Sequence, residues 1–417
     1  MSYETINRWP VSQATGAAGE VQLNRHLSFD DYPEERCLRW NSENAVGSLK
    51  ECRNIVVYIG SLKLGDYIML NPTLNTLRAA FPSANITLMA NPVPPVRTML
   101  AGDGLVDSVF RVKGMKHRPW SLAEYLRWGR ELKAALGRID LLVDTERIFL
   151  PSLALRGVLH PKHTIGYCAD SLFSDWKIDE SGRAGVHDTF QTAVLLRRLG
   201  IPLAFPLHRL PIPPLVKEKV DLFFSEREMD RTIAIFPFTA DSGDLKRWPA
   251  DCFVELSGLL VDEGYSVVLM GSPQEMDGLE RIRSKIGKGA FLSDCRLFGL
   301  SEDDSIYVSM ACLKNCELSF SCMSGGGHLA AALGVRTLVF APFERLDKFA
   351  PIGPNVWSLF CDIPCSPCRV RGNIECNGER WCVYAVSPRI VKEAMDRCIA
   401  QPLLQSLVYE RSGVRAR

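Results

Sequence analysis

The sequence predicts an α/β protein of two successive doubly wound, Rossmann-like domains, and three observations carry that reading. Short β-branched runs alternate with helical segments along most of the chain. A proline-rich stretch at residues 201–214 interrupts the alternation once. The chain has 417 residues, 47% of them hydrophobic, which is enough for two cores of ordinary size.

The alternation starts after Arg53. NIVVYIG (54–60) is a β-branched run ending at the loop SLKLGD, followed by the helical segment YIMLNPTLNTLRAAFP (67–82) and the strand NITLMA (85–90). Strand, glycine-containing loop, helix and strand make a right-handed βαβ unit of a parallel sheet. SVFRV, a helix over 122–136, IDLLVD (139–144) and KHTIGY (162–167) continue it, and 187–199 reads as a helix closed by Gly200 and Pro202. Beyond the prolines come TIAIFPF (232–238), a helix over 249–263 and YSVVLMG (265–271). CELSFSC (316–322), a three-glycine loop, the helix HLAAALG (328–334) and RTLVFAP (336–342) close the series. The boundaries are therefore 51–205 and 215–395 for the two domains and 206–214 for the linker. Residues 396–417 read as a C-terminal helix or tail. Residues 1–50 are polar with little periodicity and read as an N-terminal extension, partly ordered at best.

Charge is balanced, with 49 basic and 48 acidic residues, which argues against a nucleic-acid partner. No apolar run reaches the roughly 18–20 residues of a membrane span. The N-terminus MSYETINRWPVSQATG has no basic region leading into an apolar core, so the expected location is the cytoplasm.

Ligands of open parallel sheets bind outside the carboxyl ends of the strands, so the loops there are the candidate sites. After the first strand, Asp66 is either a general base for an acceptor hydroxyl or a helix cap. After the first strand of the second domain, the loop 237–249 offers the Thr239 hydroxyl and the Lys246 charge for a phosphate, or is simply solvated. Ser324, Gly325, Gly326, Gly327 and His328 lead into an Ala-rich helix whose free N–H groups and dipole suit a pyrophosphate. In the loop after Gly271, Glu275 is placed to read ribose hydroxyls.

Fourteen cysteines are many for a reducing compartment, and five fall within 361–382. Cys365, Cys368, Cys376 and Cys382, with Cys361 as a fifth candidate, supply thiolates for a tetrahedral structural metal; the alternative is free cysteines in a loop. Zinc is the default from ligand type, and four thiolates leave no open catalytic position.

In their order, these motifs resemble glycosyltransferase family 9, the heptosyltransferases. The first domain has Gly-Asp after the strand, Pro72-x-Leu74 and Leu77-Arg-x-x-Phe-Pro82. The second has Lys246-x-Trp248-Pro249, Gly271-x-x-x-Glu275, Leu297-x-Gly299-Leu300 and the run from Ser324 to Gly334. The resemblance spans residues 53 to about 395. It implies a GT-B fold, with the two domains facing a cleft. An acceptor would sit on the first, a lipopolysaccharide-core or other lipid-linked saccharide or a protein hydroxyl. A nucleotide sugar, usually ADP-heptose, would sit on the second. It also implies an inverting transfer with Asp66 as base and Lys246 on the donor phosphates, no catalytic metal, and room for peripheral association with a membrane. Glu275, Gly299 and the 324–328 run would line the donor. The family's autotransporter-glycosylating branch shares the cysteine cluster and an N-terminal extension and is associated with iron, so the structural metal is iron or zinc. Two positions depart from the pattern: Met323 replaces an aspartate at the donor-sugar end, and Phe238 replaces a glycine after Pro237. Two other functions fit the same fold: a nucleotide-sugar-binding protein that has lost turnover, and a nucleotide-sugar epimerase.

Overall fold

The structure is a computed structural model. It describes residues 2–10, 20–30, 37–39, 49, 51–112, 122–145, 156–166, 176–178, 187, 189–190, 192, 196, 200–239, 247–342, 346–363, 381–410 and 413–416. The chain divides into two compact units, residues 30–209 and residues 1–29 with 210–417. Strands β1 (Ser2–Pro10) and β2 (Glu20–Asp30) open the chain, and almost all of this hairpin belongs to the second unit.

The 30–209 unit carries β3 (Cys37–Arg39), β4 (Asn54–Tyr58), β5 (Asn85–Ala90), β6 (Ser108–Arg111), β7 (Leu141–Asp144), β8 (His163–Gly166) and β9 (Trp176–Ile178). Their order across the sheet is β3-β9-β8-β7-β4-β5-β6. All neighbours from β9 to β6 run parallel, and β3 is antiparallel to β9. Read from β6 to β9, this is the 3-2-1-4-5-6 order of a dinucleotide-binding sheet. Strand order reverses its progress between β4 and β7, so the crevice at the carboxyl ends of those two strands is the switch point. The apolar run of β4 suits a strand covered on both faces: Ile55, Val56, Val57 and Tyr58 are all buried. The helix expected at 187–199 lies mostly outside the described residues.

The second unit repeats the order. β10 (Thr232–Phe236), β11 (Ser266–Leu269), β12 (Ala290–Leu292), β13 (Leu318–Cys322), β14 (Arg336–Ala341) and β15 (Val356–Asp362) lie as β12-β11-β10-β13-β14-β15, all parallel. Its switch point is between β10 and β13. Trp248 anchors the core, 1% exposed, edge-on to Phe253 and Phe320 and donating from Nε1 to the Val386 carbonyl at 3.0 Å.

Both ends of the chain depart from the sequence reading. Residues 2–10 and 20–29 are no loose extension: β2 pairs antiparallel with β15, and Val21 and Leu23 enter the core of the second unit. Trp9 Nε1 donates to Glu393 on the helix Pro388–Ala400 at 2.8 Å. At the other end, β16 (Leu407–Glu410) and β17 (Gly413–Ala416) form a hairpin whose β17 lies beside β2. A parallel sheet left with β15 at its edge exposes unpaired backbone groups, and these hairpins cover that edge.

Candidate active site

The donor-side residues expected from sequence follow the carboxyl ends of neighbouring strands of one sheet. Thr239 follows β10, Gly271 and Glu275 follow β11, Gly299 lies beyond β12, and Ser324 to His328 follow β13. Thr239 and Ser324 therefore follow the two strands that flank the switch point. Lys246 lies outside the described residues.

The glycine run is not a loop before the helix. The helix is Gly325–Ala332, capped by Ser324 in an extended conformation (φ −148°, ψ 170°), so Gly325, Gly326 and Gly327 form its first turn. A serine at this position ordinarily accepts a hydrogen bond from the helix's own early N–H groups; here its side chain makes no such bond. Two of the glycines are also needed for packing. A Cβ on Gly326 would stand 2.5 Å from the Phe236 ring, and one on Gly327 would stand 2.5 Å from Ser321 Oγ and 2.9 Å from Val339. Their absent side chains let the helix N-terminus lie directly on β10, β13 and β14 at the crevice. His328 is buried, 7% exposed, with its N–H on the Ser324 carbonyl at 3.3 Å.

Two hydroxyls at this crevice stand out. Thr239 is 6% exposed, and its Oγ1 and the buried Ser324 Oγ have no hydrogen-bond partner among the described residues. A buried polar atom left unpaired costs about 1–3 kcal/mol, and hydroxyls with hydrogen-bonding capacity to spare at the edge that holds a helix N-terminus are chemically suited to an anion. Ser293, missed in the sequence, adds a third at the same edge: it follows β12, is 3% exposed, and its Oγ also lacks a partner among the described residues. Its only signal was position after a short strand that the sequence reading did not identify.

The other predicted residues shape the rim. The Glu275 carboxylate accepts from the Ser272 N–H at 2.7 Å and the Ser272 hydroxyl at 2.8 Å, holding the turn after Gly271. Gly299 takes a left-handed φ of 60° to end the short helix Cys295–Phe298, and its carbonyl accepts from Lys219 Nζ at 2.9 Å. Phe238 does not crowd the neighbouring helix Met276–Ile286, because Gly278 makes room: a Cβ there would fall 2.8 Å from the Phe238 ring. The Arg247 guanidinium lies over the Phe238 ring, 5.2 Å from its centroid. Met323 turns into an apolar cluster with Val339, Ala341, Leu346 and Ala350 and is 7% exposed.

In the 30–209 unit, Asp66 sits at the mouth of the β4/β7 switch point. It too is inside a helix, at the third position of Leu64–Ala80, where its carboxylate accepts the Lys63 N–H at 3.3 Å. The helix-cap alternative is therefore realised, and it leaves the carboxylate half-buried in the first turn at the carboxyl edge of the sheet. A negative charge there is stabilised by the helix dipole.

Of the cysteine cluster, Cys365, Cys368 and Cys376 lie outside the described residues. Cys361 and Cys382, at its two ends, are both buried in the core of the second unit, and the described residues alone contain no metal-binding group. Nor does any described helix have the length and apolarity to cross a membrane.

Comparison with known proteins agrees with this fold. Residues 135–377 match the profile of glycosyltransferase family 9 (heptosyltransferase). Lipooligosaccharide heptosyltransferase 2 of Haemophilus influenzae is 22% identical over 358 residues, which cover 83% of this chain and 99% of that protein. Among solved structures, a family 9 glycosyltransferase from Veillonella parvula superposes with a TM-score of 0.62 at 18% identity, covering 83% of this chain and 97% of that one. E. coli ADP-heptose LPS heptosyltransferase II superposes with a TM-score of 0.58 at 20% identity, covering 83% and 98%. The fold is shared with both.

Proposed function

The chain belongs to glycosyltransferase family 9, the heptosyltransferases, and from that premise we propose that it moves a heptose or related sugar from a nucleotide diphosphate donor, ADP-heptose first, to a saccharide hydroxyl. The observation that carries the donor half is the switch-point helix of the second unit, with three glycines in its first turn and the unpaired hydroxyls of Thr239 and Ser324 beside it. Helix N–H groups and hydroxyl donors suit a diphosphate, and they suit it better as charge builds on the leaving group.

The reaction is a single displacement in a GT-B arrangement. Asp66 takes the proton of the acceptor hydroxyl as that oxygen bonds to the anomeric carbon. The bond from that carbon to the diphosphate breaks, its electron pair leaves with the nucleotide, and the configuration inverts. The helix N-terminus, Thr239, Ser324 and Lys246 receive the departing charge, so no catalytic metal is required. Glu275 then serves the ribose by holding the Gly271–Ser272 turn. The acceptor is a lipopolysaccharide-core precursor in this reading, with a protein hydroxyl as the alternative acceptor, and the reaction is cytoplasmic.

Met323 favours a second reading of the donor. The position where the family keeps an aspartate is here part of an apolar cluster, which fits a sugar with fewer polar groups at that end. Family membership favours transfer over epimerisation. A structural iron or zinc on Cys365, Cys368, Cys376 and Cys382 completes the proposal; it would tie the 361–382 segment to a core that already holds both of its ends. Metal analysis of protein purified without added metal tests that part, and a metal-free folded protein overturns it.

The transfer reading is tested by ADP release from ADP-heptose in the presence of a core saccharide. Asp66→Asn keeps an acceptor for the Lys63 N–H, so the cap persists while the base is lost. We expect kcat to fall about 10²- to 10⁴-fold with little change in donor binding. An undiminished rate in this variant removes Asp66 from the chemistry, and binding without turnover in the wild type supports the lost-activity alternative.

A further inference from the structure

The helix that carries Asp66 has an unusual interior. Tyr67 and Asn71 are both fully buried, and Pro72 stands mid-helix. Proline lacks the N–H that would bond the Ile68 carbonyl, so the first two turns, with Asp66 in them, lose a backbone tie to the rest of the helix. Side chains replace it. The Tyr67 hydroxyl donates to Asp103 Oδ2, and Asp103, 2% exposed, accepts the Leu105 N–H on its other oxygen at 2.8 Å. Asn71 Nδ2 donates to the Tyr67 oxygen at 3.1 Å and to the Arg209 carbonyl at 3.3 Å, while Asn71 Oδ1 accepts the Arg209 N–H at 2.8 Å. Farther along, Asn75 Nδ2 donates to the Pro206 carbonyl at 2.8 Å and Thr76 Oγ1 accepts the Ala204 N–H at 3.1 Å.

Apolar side chains at all three positions would fill this space without desolvating a carboxyl, an amide and a phenol. Burial pushes the Asp103 carboxyl above its ordinary range, against the pull of Tyr67, the Leu105 N–H and Arg209. A fully satisfied polar network costs desolvation and returns one fixed orientation. Here the oriented element is the short stretch of helix between Lys63 and Pro72.

Resting on the assignment of Asp66 as base, we propose that Tyr67, Asn71 and Asp103 are its positioning residues. They clamp the first two turns of the helix to the chain around Asp103 and to the 204–209 segment, and so hold the Asp66 carboxylate where the acceptor hydroxyl arrives. They touch neither substrate.

The test uses the full chain with ADP-heptose and a core saccharide. Tyr67→Phe keeps the ring and removes the hydroxyl; Asn71→Ser keeps a polar group and breaks the bridge from Tyr67 to Arg209. Thermal unfolding of each variant is measured alongside. We expect kcat to fall about tenfold to a hundredfold, the donor KM to stay within about twofold, and the acid limb of the pH–rate profile to move. In an Asp66→Asn background the same substitutions should leave the residual rate unchanged, since there is no base left to misplace. An unaltered kcat and pH profile in both variants overturns the proposal while leaving the base assignment standing. So does an equal further loss in the Asp66→Asn background, which marks a general structural effect. A fully active Asp66→Asn enzyme overturns both.

Discussion

Thr239 and Ser324 each keep a buried hydroxyl that folding alone would discard, and this separates a binding role from a structural one. Thr239→Val has nearly the same shape and removes an unpaired polar atom. It should leave the melting temperature equal or slightly higher, yet weaken binding of the nucleotide sugar about tenfold by calorimetry. Weaker folding with unchanged binding would show that the hydroxyl serves the core. Met323 makes the opposite case. Restoring the family's carboxylate with Met323→Asp sets a charge among Val339, Ala341, Leu346 and Ala350. The expected outcome is a loss of roughly 3 kcal/mol in denaturant unfolding rather than a gain in transfer. The substitution is therefore embedded in its packing, and reversing it needs the cluster to change too.

At the scale of single elements, the Gly325–Ala332 helix shows what sequence can and cannot reveal. Its existence, its glycines and its place after an apolar strand were legible. That Gly326 and Gly327 are fitted against Phe236, Ser321 and Val339 was not, because the distance between helix and sheet is a property of the packed unit. Gly326→Ala should cost about 1–3 kcal/mol in denaturant unfolding and lower donor affinity as well, since the helix end must back away from the crevice. The Leu64–Ala80 helix was legible through its apolar residues, but its start was placed three residues late, which put Asp66 in a loop. Lys63 gives no usual capping signal, and the cap is closed by Asp66 itself. β2 escaped notice for a different reason. Asn24, Arg25 and His26 are buried polar residues, matched to Thr5, Gln401 and Ser358, so the strand lacks an apolar alternation to read.

Across the whole molecule, the parallel sheets were the most legible feature, since β4 and β10 are near-continuous apolar runs. Their stability also has a predictable pH dependence. Burial disfavours the ionised forms of Asp140 and Asp107, but amide donors outweigh it. Asp140 accepts from Arg53 N and Asn54 N at 2.8 and 3.0 Å, and Asp107 accepts from Ile86 N at 2.7 Å and Arg78 at 2.6 Å. Both carboxyls are held below their ordinary range, so the stability they contribute is present above the unfolded value of about 4 and is lost as pH falls through the lower folded value. Urea unfolding of the chain at a series of pH values should show this acid-side loss, and Asp140→Asn should flatten it while lowering stability at neutral pH. A variant with the parent's acid slope would mean that the loss arises elsewhere.

The pairing of β2 with β15 also sets a timetable for synthesis. Residues 20–30 leave the ribosome early, yet the strand they bond to spans 356–362. At about 5–20 residues per second they wait roughly 20–70 seconds for it. The 30–209 unit, whose strands all lie within it, is complete long before then. During that interval Val21 and Leu23 have β1 beside them but not the core they will enter, so the nascent N-terminal hairpin must be kept from other partners while it waits.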